Sequence, residues 1–190
     1  MKSLVTRIVL LPFAFIYGFV VWIRNRLFNW GILPQKSYDT CVLVVGNLSA
    51  GGTGKTPHII ALAEMLKQNY ELAILSRGYK RKSKGFRWVE LDDHPELSGD
   101  EPLEIKLRLQ DIPVATCKNR RLGIEQILKE LNPKPDIILM DDGFQHRFVK
   151  PDYSLILTRN NLLYSEDSLL PVGRLREPAR AIKRAHTVCI

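Results

Sequence analysis

The most informative stretch of this chain runs from Cys41 to Pro57, where an apolar segment leads into a glycine-rich segment that ends in Gly-Lys-Thr. The pattern predicts a buried strand, a loop and a helix, in that order. In such a loop, backbone N–H groups and the positive end of the helix dipole converge on an anion. Lys55 is then placed to reach the outer phosphates of a nucleotide, and the Thr56 hydroxyl to hold a magnesium ion.

The predicted phosphate loop departs from the usual pattern at one position. Ser49 stands where the first glycine is expected, but three later glycines still supply the backbone freedom that the loop needs. The alternative is a glycine-rich turn with an exposed lysine; the strand before the segment and the helix after it favour a phosphate loop. The predicted nucleotide-binding residues are Ser49, Ala50, Gly51, Gly52, Thr53, Gly54, Lys55 and Thr56.

A second group of candidate residues follows the apolar run Asp136–Met140. A hydrophobic strand that ends in aspartate beside a phosphate loop usually supplies the carboxylate that holds magnesium. Asp141 and Asp142 would repel each other unless a cation lies near them. Both are therefore candidate metal ligands, and two solvated loop carboxylates are the alternative. His146, a few residues on, is a candidate contact for substrate or phosphate, although a structural role is equally open.

Two further segments carry charged residues at helix and loop boundaries. Asp100 precedes a proline that is typical of a helix start, so it either caps that helix or acts as the general base that a kinase needs. In the loop Leu169–Pro178, Arg176 is a candidate clamp for phosphate oxygens and Glu177 a candidate metal ligand. A solvated loop is the alternative for that segment.

The elements that must position these residues alternate along the chain. Short apolar strands and amphipathic helices in alternation predict an α/β fold resembling a P-loop NTPase, with a mostly parallel sheet flanked by helices. Ligands then bind at the carboxyl ends of the strands. The predicted strands after the first are Glu71–Ser76, Phe86–Glu90, Pro113–Thr116, Asp136–Met140 and Tyr153–Thr158, and the predicted helices are Pro57–Gln68, Glu101–Leu109 and Arg120–Leu131.

The first residues of the chain have a different composition. Sixteen residues without a charge, Ile8–Ile23, lie between basic flanks. A helix of that length measures about 24 Å, short of the roughly 30 Å hydrocarbon core, and Pro12 and Gly18 also argue against a span. We expect a helix or helical hairpin half-sunk in the membrane surface; a helix packed on the domain's own core is the alternative. The chain thus divides into a membrane-associated segment, 1–35, and a kinase-like domain, 36–190.

The net charge of +8 indicates an anionic partner, which could be a nucleotide, a phospholipid surface or a phosphorylated substrate. No basic platform interleaved with aromatic residues is present, so nucleic acid is not expected as a partner.

Five motifs, in this order, resemble those of the tetraacyldisaccharide 4'-kinase family, which phosphorylates the lipid A precursor of Gram-negative envelopes. They are Val45–Pro57, Ser76–Tyr79, Gly99–Pro102, Asp141–His146 and Leu170–Pro178. The resemblance implies an enzyme on the cytoplasmic face of the inner membrane. It would move the γ-phosphate of ATP to the 4'-hydroxyl of tetraacyldisaccharide 1-phosphate, with Mg²⁺, and form lipid IVA.

The resemblance also implies roles for individual residues. Lys55, Asp100 and Asp142 would be catalytic, with Asp100 as the base. Metal would be held by Thr56, Asp141, Asp142 and Glu177. Substrate would be bound by Arg77, Arg120, Gln145, His146 and Arg176.

Members of this family continue into a second lobe with an Asp-His-His segment, whereas this chain ends at Ile190 in an apolar run typical of another strand. We therefore expect an amino-terminal portion of such a kinase, without full activity alone. Two other hypotheses are a membrane-associated ATPase or GTPase switch and an inactive fragment of the kinase. No Asn-Lys-x-Asp pattern of guanine-binding proteins is present to favour a GTPase.

Overall fold

The fold was obtained as a computed structural model that describes residues 4–190. It contains helices α1 to α5 and strands β1 to β7. In chain order the elements are α1 Leu4–Asn29, β1 Cys41–Gly46, α2 Lys55–Leu66, β2 Leu72–Ser76, β3 Arg87–Trp88, α3 Pro95–Ser98, α4 Asp100–Arg108, β4 Val114–Thr116, α5 Arg120–Glu130, β5 Ile137–Asp141, β6 Tyr153–Leu157 and β7 Thr187–Cys189, with 3₁₀ helices at Tyr164–Glu166 and Ala179–Arg184.

The seven strands form one sheet in the order β3-β4-β2-β5-β1-β6-β7. All neighbours are parallel except β3 and β4. In the centre, Val45 of β1 is in register with Asp141 of β5. The carboxyl ends of both strands, with the loops that follow them, therefore meet at one edge of the sheet, as the α/β prediction required.

Apolar side chains cover both faces of the sheet in two clusters. Every residue of β2, β4 and β5 is buried, which is why these strands read as continuous apolar runs in the sequence. The last residue of β1 is Gly46, and glycine is needed there because a Cβ would lie 2.7 Å from the Cβ of Phe144. The missing side chain lets the loop after β5 pack directly against the end of β1, beside the predicted phosphate loop.

Helix α1 is longer than the sequence predicted and is continuous through Pro12, so the helical hairpin was wrong. Its 26 residues measure about 39 Å at about 1.5 Å per residue. The stretch Val5–Asn29 is long and apolar enough to cross a membrane by length and composition. Length therefore no longer argues against a span. Most of the helix is exposed, with only Val21 and Phe28 among its described residues fully buried, so a core helix was also wrong.

Several smaller expectations failed for local reasons. The capping alternative for Asp100 was wrong, because α4 begins at Asp100 itself and its N-cap is Gly99, with a φ of 96° that favours glycine. The strand expected at Phe86–Glu90 shrinks to two residues that pair with β4 alone. The 3₁₀ helices were not predicted, since segments of three to six residues carry no resolvable apolar period.

Candidate active site

The predicted phosphate loop connects the end of β1 to the start of α2. Gly51 and Gly54 adopt φ values of 118° and 78°, which residues other than glycine rarely adopt. Asn47, fully buried, donates through Nδ2 to the Thr53 hydroxyl at 2.9 Å and to the Gly51 carbonyl at 3.3 Å. These two hydrogen bonds connect the start of the loop to its middle and so stabilise its conformation. Lys55 follows the loop as the first residue of α2.

The loop Leu169–Pro178 lies against the phosphate loop. The Ala50 N–H donates to the carbonyl of Arg174 at 2.7 Å, and the Arg176 N–H donates to the carbonyl of Leu48 at 2.8 Å. A solvated loop, the alternative from the sequence, is therefore wrong for this part of the segment. The backbone pairing carries the Arg176 guanidinium to the carboxyl edge of the sheet.

Asp142 is the residue on which the charged groups of this edge converge. Its carboxylate lies 3.5 Å from Lys55 Nζ and accepts from Nη1 of Arg176 at 3.0 and 2.9 Å. The Asp142 N–H donates to the Val45 carbonyl at 3.0 Å, which fixes the residue beside β1. Burial alone would raise the pKa of Asp142, but Lys55 and Arg176 outweigh it and hold the pKa below its ordinary value. The carboxylate is therefore charged at neutral pH.

Asp141 differs from its neighbour because it is almost completely buried and its carboxylate forms no bond with a cation among residues 4–190. Its Oδ2 accepts from the Ser76 hydroxyl at 3.0 Å, and its Oδ1 has no hydrogen-bond partner in the part of the chain that the structure describes. Burial, then the charge of Asp142, raises the pKa of Asp141 to about 6. A buried carboxylate oxygen without a partner, next to a second carboxylate, would be stabilised in its charged form by a cation bound nearby.

Among residues 4–190, no three His, Cys, Asp or Glu side chains are grouped closely enough to hold a metal by themselves. Magnesium does not need such a cage. It commonly uses one or two carboxylates together with substrate phosphates and water. The partnerless oxygen of Asp141, with Asp142 next to it and Thr56 in the first turn of α2, fits that mode.

Arg120, predicted to bind substrate, is only 2% exposed. It donates to the carbonyls of Cys117 at 2.6 Å and Asp141 at 2.9 Å, and so ties the residues at the carboxyl ends of β4 and β5 together. Burial lowers its pKa to about 10, so the guanidinium keeps its charge at neutral pH. Its observed contacts are with protein, and a direct contact with substrate stays a prediction.

Gln145 and His146 lie in the loop after Asp142. Gln145 donates from Nε2 to the Asn47 carbonyl at 2.7 Å, which connects this loop to the phosphate loop. Burial, followed by nearby arginines, lowers the pKa of His146 to about 4, so the imidazole is neutral at pH 7. The buried His146 Nε2 has no hydrogen-bond partner among the described atoms. Arg77, at the end of β2, is exposed and adds positive charge near both Arg120 and His146.

Asp100 is brought to the same side of the fold but not into the charged cluster. It is exposed in the first turn of α4, and its carboxylate makes no hydrogen bond or ion pair within the described part of the chain. Its neighbour Glu101 is close enough to Asp141 to raise the pKa of that carboxyl. The start of α4 thus borders the site, and a role of Asp100 as base stays a prediction.

Glu177 lies among arginines rather than beside Asp142. Fully buried, it forms ion pairs with Arg184 and, at 3.9 Å, with Arg24 of α1. Burial raises the pKa of Glu177, and the surrounding arginines oppose that shift. The predicted role as a metal ligand stays a prediction, while the contacts seen here join α1 to the loop that carries Arg176.

Replacement of Glu177 by glutamine is therefore expected to lower the free energy of unfolding by about 1.5–3 kcal/mol, because charged hydrogen bonds are lost and arginines lose their counter-charge. Urea unfolding of the 190-residue chain measures the change. Glu125→Gln is the matched control, since Glu125 pairs with Lys36 at the surface and should change stability by about 0–1 kcal/mol. An unchanged unfolding free energy with weaker Mg²⁺-dependent nucleotide binding would instead favour the metal-ligand role.

Sequence reasoning missed the polar side of α1. The Tyr17 hydroxyl donates to the Arg176 carbonyl at 2.7 Å, and Arg24 donates to the Gln145 carbonyl. Arg147 donates to Asn29 of the same helix at 2.8 Å. The one available signal was Tyr17 inside an apolar run, which a purely lipid-facing helix does not need. Helix α1 therefore contacts both loops that carry the charged cluster.

The chain is similar to known proteins in sequence and in structure. Residues 6–190 match the family model described as tetraacyldisaccharide-1-P 4'-kinase. A tetraacyldisaccharide 4'-kinase of Phocaeicola vulgatus is 46% identical over 182 residues, which cover 95% of this chain and 50% of the relative. One of Flavobacterium psychrophilum is 48% identical over 181 residues, which cover 95% of this chain and 52% of the relative. The chain spans about half the length of the curated relatives it matches.

A solved structure is also similar. A crystal structure of LpxK from Aquifex aeolicus, described as an "apo" form in complex with ATP, matches with a TM-score of 0.89 and 40% sequence identity. The match covers 96% of this chain and 58% of that chain.

Proposed function

Because the chain belongs to the tetraacyldisaccharide-1-P 4'-kinase family, we propose that it forms the nucleotide-binding portion of a lipid A kinase. This kinase transfers the γ-phosphate of ATP to the 4'-hydroxyl of tetraacyldisaccharide 1-phosphate and forms lipid IVA. The observation that carries the proposal is the convergence of Lys55 and Arg176 on Asp142 at the mouth of the phosphate loop. Such a cluster offers cations to phosphate oxygens and carboxylates to a metal at one place.

The reaction asks the protein mainly to position donor and acceptor and to neutralise charge. The N–H groups of the phosphate loop and Lys55 bind the β- and γ-phosphates. Lys55 pairs with Asp142 at 3.5 Å, which supports this role because the pair holds the ammonium beside the phosphate loop. Arg176, bonded to the same carboxylate, binds phosphate oxygens from the opposite loop. His146 is neutral and serves as a hydrogen-bonding group for substrate rather than as a charge.

Mg²⁺ would be held by Asp141, Asp142 and Thr56, and would supply charge neutralisation on the phosphates. Ser76, which donates to Oδ2 of Asp141, orients that carboxylate, and the buried Oδ1 is left without a hydrogen-bond partner among the described residues. Arg120 fixes the backbone of Asp141 by donating a hydrogen bond to its carbonyl. Asp100 accepts the proton of the attacking hydroxyl, and its exposure leaves the carboxylate accessible to a substrate that arrives from outside.

We further propose that α1 attaches the protein to the cytoplasmic face of the inner membrane, as a surface-lying helix. The exposed apolar side chains Phe15, Ile16 and Phe19 support contact with lipid. The polar contacts of Tyr17 and Arg24 with the domain favour a helix that lies against the protein and the membrane surface over one that leaves the domain to span. This placement keeps an insoluble acceptor within reach of the nucleotide.

The test uses the complete gene product that includes these 190 residues. Vesicles bearing it are incubated with γ-labelled ATP and tetraacyldisaccharide 1-phosphate, and label is expected in a bisphosphorylated lipid. Release of labelled phosphate without lipid labelling would indicate an ATPase. Nucleotide binding without any turnover would indicate a non-catalytic relative.

A further inference from the structure

A basic groove lies between the carboxyl-terminal half of α1 and the 3₁₀ helix Ala179–Arg184. Its cavity volume is about 370 Å³, and it is open to solvent. The residues that line this basic groove are Trp22, Asn25, Arg26, Asn29, Arg147, Pro178, Arg180, Ala181, Lys183 and Arg184. Five of them carry a positive charge and none carries a negative charge.

The positive charge of the basic groove is not balanced within the described part of the protein. Glu177, next to the lining residue Pro178, pairs with Arg184 and with Arg24. Among the described residues it is the one carboxylate that forms an ion pair with a cation of the groove lining. Arg180 and Lys183 are exposed and form no ion pair or hydrogen bond with any residue from 4 to 190. Burial lowers the pKa of Arg147 and Arg184, and neighbouring arginines lower both further while Glu177 opposes the shift. An anion in the groove would relieve this repulsion.

The apolar surroundings identify the kind of anion. Trp22 lines the groove and is 37% exposed, and Trp30, one helical turn beyond Arg26, is 65% exposed. Arg26 lies over both indole rings. Tryptophan with arginine at the end of an apolar helix is typical of the headgroup level of a bilayer. The exposed apolar residues Phe15 and Phe19, seven and three residues before Trp22, lie on the same face of α1 as the groove and continue it toward the helix start, where acyl chains would lie.

The basic groove is also separate from the charged cluster around Asp142. None of its lining residues belongs to the phosphate loop or to the Asp141–Asp142 pair. In the basic run after β2, part of the charge is neutralised within the chain, since Arg87 pairs with Asp93 and Lys82 pairs with Glu96. The basic groove differs from that run because its five cations share one concave place whose lining contains no carboxylate.

We propose that the basic groove binds the phosphate of an anionic bilayer phospholipid. The assignment rests on the proposed membrane attachment of α1 and adds a headgroup-specific site to it. Arg180 and Lys183 at the mouth meet the headgroup, and Arg147 and Arg184 supply the deeper positive charge. The acyl chains continue along the apolar side of α1.

The test compares binding of the 190-residue chain to vesicles of phosphatidylcholine with and without phosphatidylglycerol. The double variant Arg180→Gln/Lys183→Gln is expected to lose about 25-fold in affinity for the anionic vesicles, at roughly fivefold for each cation near the surface. Its affinity for neutral vesicles stays the same. Lys129→Gln/Lys134→Gln is the matched control; it removes the same charge from exposed positions outside the groove and is expected to change affinity less than about twofold.

Three outcomes would overturn the proposal. Equal losses in the two double variants would indicate general electrostatics, and no loss in either would leave the groove without this role. A raised KM for the lipid acceptor in the complete enzyme, with unchanged vesicle binding, would assign the groove to the acceptor's phosphate instead. Binding of an ATP analogue is measured in parallel, so a failure of the proposed kinase function is seen separately from a failure of the lipid site.

Discussion

Replacement of Lys55 by alanine is expected to lower phosphoryl transfer by a factor of about 10³ or more, since one preorganised charged donor to the transferred group is removed. Lys55 is the only described side chain that joins the start of α2 to Asp142. The Lys55 side chain is 9% exposed, and in such a partly desolvated place a charge interacts more strongly than in water. The loss should therefore exceed that of any surface lysine.

The fold should survive this substitution because Asp142 keeps its two contacts with Arg176. Thermal unfolding and binding of a fluorescent ATP analogue to the 190-residue chain separate the two effects. Lys67→Ala is the matched control: it removes a lysine just after the same helix, where Lys67 pairs with Glu64 and Asp111 at the surface. Lys55→Ala protein that still transfers phosphate would remove the phosphate-loop assignment.

The parts of the site that could be predicted from the sequence are those formed by residues that lie close together in the chain. A strand, a glycine-rich loop and a helix follow one another within Cys41–Leu66, and the same short-range logic placed Asp141 at the end of β5. The parallel sheet could be predicted because buried strands read as apolar runs. The family resemblance, taken from five such local motifs, is confirmed by the family match over residues 6–190.

The arrangement around Glu177 could not be predicted because it depends on distant segments. Arg24 and Glu177 are separated by most of the chain, and they meet only because α1 packs on the loop that follows Leu169. Gly18 shows the same limit. In the sequence this glycine argued against a membrane span, whereas in the structure it lies against the loop, where a Cβ would be 2.9 Å from Leu169 Cδ1. Which arginine faces which carboxylate is a property of packing, not of spacing.

Asp100→Asn is expected to lower kcat by about 10²–10⁴, the contribution of a general base, with little change in ATP affinity. The substitution keeps the size of the side chain and removes its ability to accept a proton at neutral pH. Because Asp100 is exposed and forms no bond with the described residues, no structural partner is disturbed. The kinase assay on the complete gene product, with KM for ATP measured alongside kcat, checks this split.

The competing explanation for Asp100 is a purely structural role at the start of α4, and the structure leaves fewer ways to fill that role than the sequence did. Gly99, not Asp100, is the N-cap of α4, so the carboxylate could stabilise the helix only through its dipole, worth about 0.3–1 kcal/mol. A purely structural Asp100 thus predicts a small loss of stability and normal turnover. Glu104→Gln, one turn further along α4 and beside the same shallow depression as Asp100, removes an equal charge and should leave kcat unchanged. If both variants turn over like the unmodified enzyme, the proton is accepted elsewhere.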